Sequence, residues 1–157
     1  MKVAFAPWRM EFILGKREKG CVFCTRAKRK KDKQDYILHR GRYNFVILNK
    51  YPYNSGHLMV IPYEHTSDLE SLNEETGAEM FQLISRATRV IKKALQAQGF
   101  NVGFNVGKAA GAGIEDHVHA HVIPRWFADT NFWPVIGEVK SMPEHLSQTY
   151  ERLKKYW

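Results

Sequence analysis

The sequence predicts an α+β fold, with one antiparallel sheet, a single long helix and a short C-terminal helix. Three observations carry the prediction. Short runs rich in Ile, Val, Leu and aromatic residues recur between turn-forming clusters. A turn-rich segment joins two of those runs closely enough to make them antiparallel neighbours. One stretch shows apolar residues at spacings of three and four, the signature of a helix with one buried face.

Along the chain, Tyr36 to His39, Tyr43 to Asn49 and His57 to Pro62 read as strands. Asn49 to Gly56 contains Pro52, Asn54, Ser55 and Gly56, and turns the second of these strands back into the third. Ser71 with Glu74 reads as a capping box opening the long helix. Met80, Ile84, Ala87, Ile91 and Ala94 then form its buried face, and Gly99 ends it. Phe100 to Val106 and Val118 to Ile123 read as a second strand pair joined by a glycine-rich loop. Ser141 with Glu144 suggests another capping box, ahead of a short helix bearing Leu146, Tyr150 and Leu153.

A chain of 157 residues fits one domain, residues 1–157, with a core of useful size. Hydrophobic content of 44% and aromatic content of 13% mark a folded globular protein rather than a disordered one. No apolar run approaches the ~18 residues of a membrane span. Met1 to Gly20 is interrupted by Arg9, Glu11, Lys16 and Arg17 and offers no signal-peptide core. A cytoplasmic protein without membrane partners is the expectation. The formal net charge of +8 favours anionic partners, either phosphorylated small molecules or nucleic acid. The basic run Lys28 to Lys33 has no interleaved aromatic residues, so it reads as solvated surface, and a nucleic-acid partner is not expected.

The chemistry concentrates in His117-Val118-His119-Ala120-His121-Val122-Ile123-Pro124-Arg125. A strand has a side-chain period of two, so the three histidines are expected on one face, with Val118, Ala120 and Val122 on the other. Three histidines on one face must each hydrogen-bond, bind metal or stay wet, which argues against a purely structural role. Two readings compete: a metal site, or nucleophilic catalysis by a neutral imidazole attacking phosphorus. The middle histidine, His119, is flanked on both sides and is the best placed attacker. Just upstream, Gly107 to Ile114 contains three glycines, whose backbone N–H groups can approach phosphate oxygens closely. The cysteines, Cys21 and Cys24, close too small a loop to make a useful structural disulfide. They read as a metal half-site or a redox pair; no βαβ context supports a thioredoxin-like role. His39 and His145 have no motif around them and read as surface residues, while Trp126, Trp133 and Trp157 read as packing or interface residues, with base stacking as the alternative.

At His117 to Ile123 the sequence resembles the histidine triad (HIT) family, whose signature is His-φ-His-φ-His-φ-φ with φ apolar. The resemblance extends to Ala6-Pro7-Trp8-Arg9 ahead of Cys-x-x-Cys, to the strand ending at Asn49, and to Ser55 through Pro62. It runs to about Ile136, where Asp129 to Ile136 looks most like a bacterial branch similar to diadenosine tetraphosphate phosphorylases and fragile-histidine-triad dinucleoside polyphosphate hydrolases. The resemblance implies a HIT-like fold and a homodimer that joins two sheets and two long helices. It makes His119 the nucleophile on an α-phosphorus, gives His121 to phosphate or leaving-group oxygen, and has His57 support the triad by hydrogen bonding. It assigns Asn49 to a ribose and Gly111, Ala112, Gly113 and Ile114 to phosphate. Many members place a glutamine after a glycine in this loop; here the run is Gly-Ala-Gly-Ile, so that role falls to Lys108 or to backbone amides. The resemblance also gives Cys21, Cys24, His65 and His117 to a structural zinc, a four-ligand N/S set of the kind zinc prefers.

These readings imply a nucleotide phosphoanhydride-cleaving enzyme, a dinucleoside polyphosphate hydrolase or phosphorylase. The alternative is a nucleotide-binding or nucleic-acid-associated protein that keeps the triad without significant turnover, supported by the basic run and the net charge alone.

Overall fold

A computed structural model describes residues 20–130 and 142–157. The expectations for residues 1–19, including Ala6 to Arg9, for Asn131 to Ile136 with Trp133, and for Ser141 lie outside the described residues. The described elements are α1 (Val22–Lys28), α2 (Asp32–Asp35), β1 (Ile37–Arg40), β2 (Asn44–Leu48), β3 (Leu58–Pro62), α3 (Glu74–Leu95), β4 (Gly99–Phe104), a 3-10 turn (Lys108–Ala110), β5 (Ala120–Arg125) and α4 (Leu146–Lys154). The five strands form one antiparallel sheet in the order β1-β2-β3-β5-β4. The expected sheet, long helix and short C-terminal helix are all present.

The two faces of the sheet are separate worlds. Leu38, Val46, Leu48, Leu58, Val60, Ala120 and Val122 meet Met80, Leu83, Ala87, Val90 and Ile91 of α3, with Tyr150 and Leu153 of α4 completing the core. Full burial of each large aliphatic side chain contributes roughly 1.5–3 kcal/mol, which is what holds α3 on the sheet. The opposite face carries Ile37, Phe45, Ile47, Met59 and Ile61, closed at one end by Phe23 of α1. Strand alternation assigns His121 to this second face, because it pairs with Met59.

Several element boundaries differ from expectation, each for a physical reason. The N-cap of α3 is Asn73, whose side chain accepts from the Thr76 N–H at 2.8 Å, and not Ser71. Ser71 instead donates to the Asp68 carbonyl in the preceding turn. Helix α3 stops at Leu95 because Gln96 takes a left-handed conformation, φ 54, so Gly99 begins β4 instead of ending the helix. Its buried stripe also includes Leu83 and Val90, while Ile84 and Ala94 sit at its edge. Helix α4 is capped at His145, whose N–H donates to Gln148 Oε1, and Glu144 accepts from Thr149 Oγ1 instead. His39 is half-buried against Trp157 and not a surface residue, and burial lowers its pKa below the ordinary histidine value. The basic run is interrupted by structure: α1 ends at Lys28 and α2 begins at Asp32. Arg40 donates to the carbonyls of Ala27 and Arg29 at 2.7 and 2.6 Å, which fastens the end of α1 to β1.

Strand β4 lies at the sheet edge, and Val102, Phe104 and, just beyond it, Val106 are exposed. None of the described helices is long and apolar enough to cross a membrane.

Candidate active site

Strand β5 begins at Ala120, two residues later than the sequence suggests, so only His121 of the three histidines lies within it. The chain ahead of it stays tied to the fold through the Val118 N–H, which donates to the Thr66 carbonyl at 2.7 Å. His117, His119 and His121 are all buried. A buried imidazole has one N–H to donate and one lone pair to offer, and which nitrogen holds the proton is set by its partners. Those partners differ for each of the three.

Starting in the β2–β3 loop, the backbone N–H of Tyr53 donates to His57 Nδ1 at 3.0 Å. A backbone amide can only donate, so His57 Nδ1 carries the lone pair and its proton resides on Nε2. His57 Nε2 lies 2.9 Å from His121 Nδ1, so it donates and His121 Nδ1 accepts. His121 is therefore protonated on Nε2, a buried atom without a partner among the described residues. An unpaired buried N–H costs free energy and marks a donor waiting for an acceptor from outside. His119 has the opposite polarity: its Nδ1 lies 2.8 Å from the His117 carbonyl, which can only accept. Nδ1 bears the proton and Nε2 bears the lone pair. The rings of His119 and His121 are adjacent, with centroids 4.8 Å apart. A lone pair and an N–H donor thus stand side by side, as nucleophilic displacement on phosphorus requires.

The electrostatics keep these rings neutral. Burial, followed by the neighbouring His121 and His119, pushes the pKa of His57 down to about 3. Burial and His119 take His121 down to about 4. His119 is also lowered, chiefly by burial.

His117 turns the other way. Its Nε2 lies 2.9 Å from the Pro62 carbonyl and must donate, leaving the Nδ1 lone pair for a different partner. Around that Nδ1 stand Cys21 Sγ at 3.2 Å, Cys24 Sγ at 3.6 Å and His65 Nδ1 at 3.2 Å. The Cys24 Sγ to His65 Nδ1 distance is 3.4 Å, and all four ligand atoms lie within 4.8 Å of one another. A tetrahedral zinc with ordinary bond lengths separates nitrogen from nitrogen by about 3.3 Å and nitrogen from sulfur by about 3.6 Å. The donor set and its spacing fit such an ion, and the His117–Pro62 bond is the outer-shell contact that fixes a ligating tautomer. Helix α1 supplies both cysteines, Cys21 as its N-cap and Cys24 in its first turn. Both are free thiols. Between them Phe23 packs edge-on against His117 and His119, at 5.5 and 5.0 Å between centroids.

Of the other expected site residues, Asn49 is half-buried with Nδ2 3.4 Å from His57 Nδ1, and its Oδ1 accepts from the Tyr51 N–H. The Gly107 to Ile114 loop leaves the sheet where Phe104 pairs with Ala120, next to His119. Lys108, Gly111 and Gly113 are exposed, Ala112 is half-buried, and Ile114 packs against the histidine-bearing face. Two contributors escape the sequence reading, Tyr53 and Phe23. Tyr53 sits within a segment read only as a turn, and Phe23 within a motif read only for its thiols.

The β2–β3 loop that holds Tyr53 and His57 is itself anchored. Asn54 Nδ2 donates to the Pro124 carbonyl and to Asp129, each at 2.9 Å. Gly56 has φ +78, a conformation that favours glycine, and a Cβ there would also displace the Leu95 side-chain tip, approaching Cδ1 to 2.6 Å.

Residues 30–128 match the HIT domain family. The chain is 43% identical over 126 residues to an AP-4-A phosphorylase of Mycobacterium tuberculosis, covering 80% of this chain and 65% of that one. It therefore spans slightly less than two thirds of that relative's length. It is 30% identical over 135 residues to an adenosine 5'-monophosphoramidase of Schizosaccharomyces pombe, covering 82% of this chain and 96% of that one. Among solved structures, a Zn-bound histidine triad family protein from Mycobacterium smegmatis superposes with a TM-score of 0.71 at 30% identity, covering 87% of this chain and 92% of that one.

Proposed function

Because the chain belongs to the histidine triad (HIT) family, we propose that it cleaves the phosphoanhydride of a dinucleoside polyphosphate through a nucleotidyl intermediate on His119. The observation that carries the proposal is the pairing of tautomers, a lone pair on His119 Nε2 beside a donor on His121 Nε2. His119 Nε2 attacks the α-phosphorus, a P–N bond forms, and the P–O bond to the leaving polyphosphate breaks. The leaving polyphosphate is a stable anion and needs a hydrogen bond rather than a proton, which His121 Nε2–H supplies. The His119 imidazole becomes cationic as it attacks, and the His117 carbonyl accepting from its Nδ1–H steadies that charge. Asn49 and the Lys108 and Gly111 to Ile114 segment are assigned to ribose and phosphate.

A covalent intermediate separates the two half-reactions, so the second nucleophile is whatever occupies the emptied leaving-group site. Similarity to an AP-4-A phosphorylase supports inorganic phosphate in that role. Attack by phosphate on the P–N bond frees His119 and releases a nucleoside diphosphate; attack by water would release a monophosphate. Cys21, Cys24, His65 and His117 would hold one structural zinc, supported by their spacing and by the Zn-bound relative. Zinc would fix His117, whose carbonyl in turn orients His119. The exposed Val102 and Phe104 on β4, whose outer edge has no strand beside it among the described residues, support a homodimer formed through β4.

Chromatography of products from diadenosine tetraphosphate tests the reaction. ATP and ADP are expected with phosphate present, and none with a His119→Gly variant that still binds nucleotide. AMP and ATP at an unchanged rate with or without phosphate would mark a hydrolase. Turnover by the His119→Gly variant would remove His119 from the mechanism.

A further inference from the structure

Tyr53 does two separate things. Its backbone N–H fixes the tautomer of His57, whereas its ring stacks on His57 at 4.9 Å and 29° and flanks His121 at 5.9 Å. Despite those contacts the residue is 53% exposed, while His57 beneath it is completely buried. One ring face covers the relay and the rest is open to solvent. The ring contacts run from His119 to His121 to Tyr53. Displacement at phosphorus runs in line, so the leaving group departs on the side opposite the nucleophile. The buried His121 Nε2–H, without a partner among the described residues, is available to a leaving-group oxygen. The Tyr53 ring, 5.9 Å from the His121 ring between centroids, offers an exposed aromatic surface beside that imidazole.

We infer that the exposed face of Tyr53 is the stacking platform for the second nucleoside of the substrate, the one that departs with the leaving polyphosphate. The inference rests on the dinucleoside polyphosphate reading above and adds the source of its preference for two nucleosides over one. Stacking on an aromatic ring tolerates every base, so this platform selects for the presence of a base and not for its identity. The loop is built to hold such a platform still, through Asn54 on Pro124 and Asp129 and through the close approach at Gly56.

The test compares diadenosine tetraphosphate with adenosine 5'-tetraphosphate, whose leaving group lacks the second nucleoside. Wild type, Tyr53→Phe and Tyr53→Leu are compared on both, the second compound being read as an inhibition constant if its turnover is slow. All three proteins retain the backbone N–H that sets His57, and a matching imidazole NMR signature verifies this. Tyr53→Leu is expected to lower kcat/KM on the dinucleoside substrate roughly 5- to 150-fold more than on the mononucleotide, the range that base–aromatic stacking supports. Tyr53→Phe should keep the wild-type ratio. An equal loss on both compounds would overturn the inference and leave the ring as a cover for the histidines, with the parent reading intact. Wild type that acts on neither compound would overturn the parent reading and the inference with it.

Discussion

The hydrogen-bond relay makes opposite predictions for two substitutions of the same residue. Asparagine places its side-chain acceptor near the position of imidazole Nδ1, and glutamine reaches near that of Nε2. His57→Asn therefore keeps an acceptor for the Tyr53 N–H but loses the donor to His121 Nδ1. His57→Gln keeps a donor to His121 and loses the acceptor for Tyr53. The lost bond to His121 is short and buried, with His57 0% and His121 7% exposed. Leaving a buried partner unsatisfied costs about 1–3 kcal/mol, in place of the roughly 1 kcal/mol that a neutral hydrogen bond nets. The expected penalty for His57→Asn is about 1.5–3 kcal/mol of transition-state stabilisation, or roughly 10- to 150-fold in kcat/KM. The Tyr53 N–H abandoned in His57→Gln lies in a half-exposed loop residue that water can reach, so the loss is expected within about 5-fold. Steady-state rates on diadenosine tetraphosphate measure the difference, and nitrogen-15 shifts of His121 report its tautomer. Asparagine as active as glutamine, or more so, would refute the relay as the source of the His121 donor.

Three further outcomes follow from the same geometry. Protein purified without chelator should contain one zinc per chain and Cys21→Ser should lose it; equal metal content in the two would remove Cys21 from the ligand set. His57 and His121 have folded pKa values depressed to about 3 and about 4 from 6.5, so the unfolded chain binds more protons between pH 6.5 and 4. Their contribution is fully present above pH 6.5 and falls by about 1.4 kcal/mol per pH unit per histidine as pH drops through that window. Urea midpoints at pH 7.5, 6 and 5 should show this decline, and a shallower one in His57→Gln; identical slopes would contradict it. Glu79 accepts from the N–H groups of Arg42, Tyr43 and Asn44 at 2.7, 2.8 and 2.7 Å, tying α3 to the β1–β2 turn. Glu79→Ala should cost about 2–4 kcal/mol by urea denaturation, and a loss below about 0.5 kcal/mol would show that water replaces the carboxylate.

The sequence alone determined the strands, because Ile, Val, Leu and aromatic residues concentrate in short runs between turn-forming clusters. It also determined α3, because apolar residues repeat at its turn spacing. Histidine spacing and the paired cysteines pointed to the residues of the candidate site, since those residue types have few other uses so close together. Helix ends were less legible. Serine, asparagine and glycine all make good caps, and the choice of Asn73 over Ser71, or of Gln96 over Gly99, depends on where the turn meets the rest of the fold. The division of labour among the three histidines was decided only by tertiary structure. Spacing makes His117, His119 and His121 equivalent, and an imidazole's role follows from which nitrogen is protonated. That is set by partners distant in sequence: Pro62 for His117, and His57 for His121. The proposed metal and nucleophile roles, both left open by the sequence, thereby fall to different residues of one motif. Tyr53 lies four residues from His57, yet nothing in its local sequence reveals a ring stacked on a histidine and open on its other face. A turn residue's side chain is placed by what the folded loop packs upon, and only the assembled sheet supplies that surface.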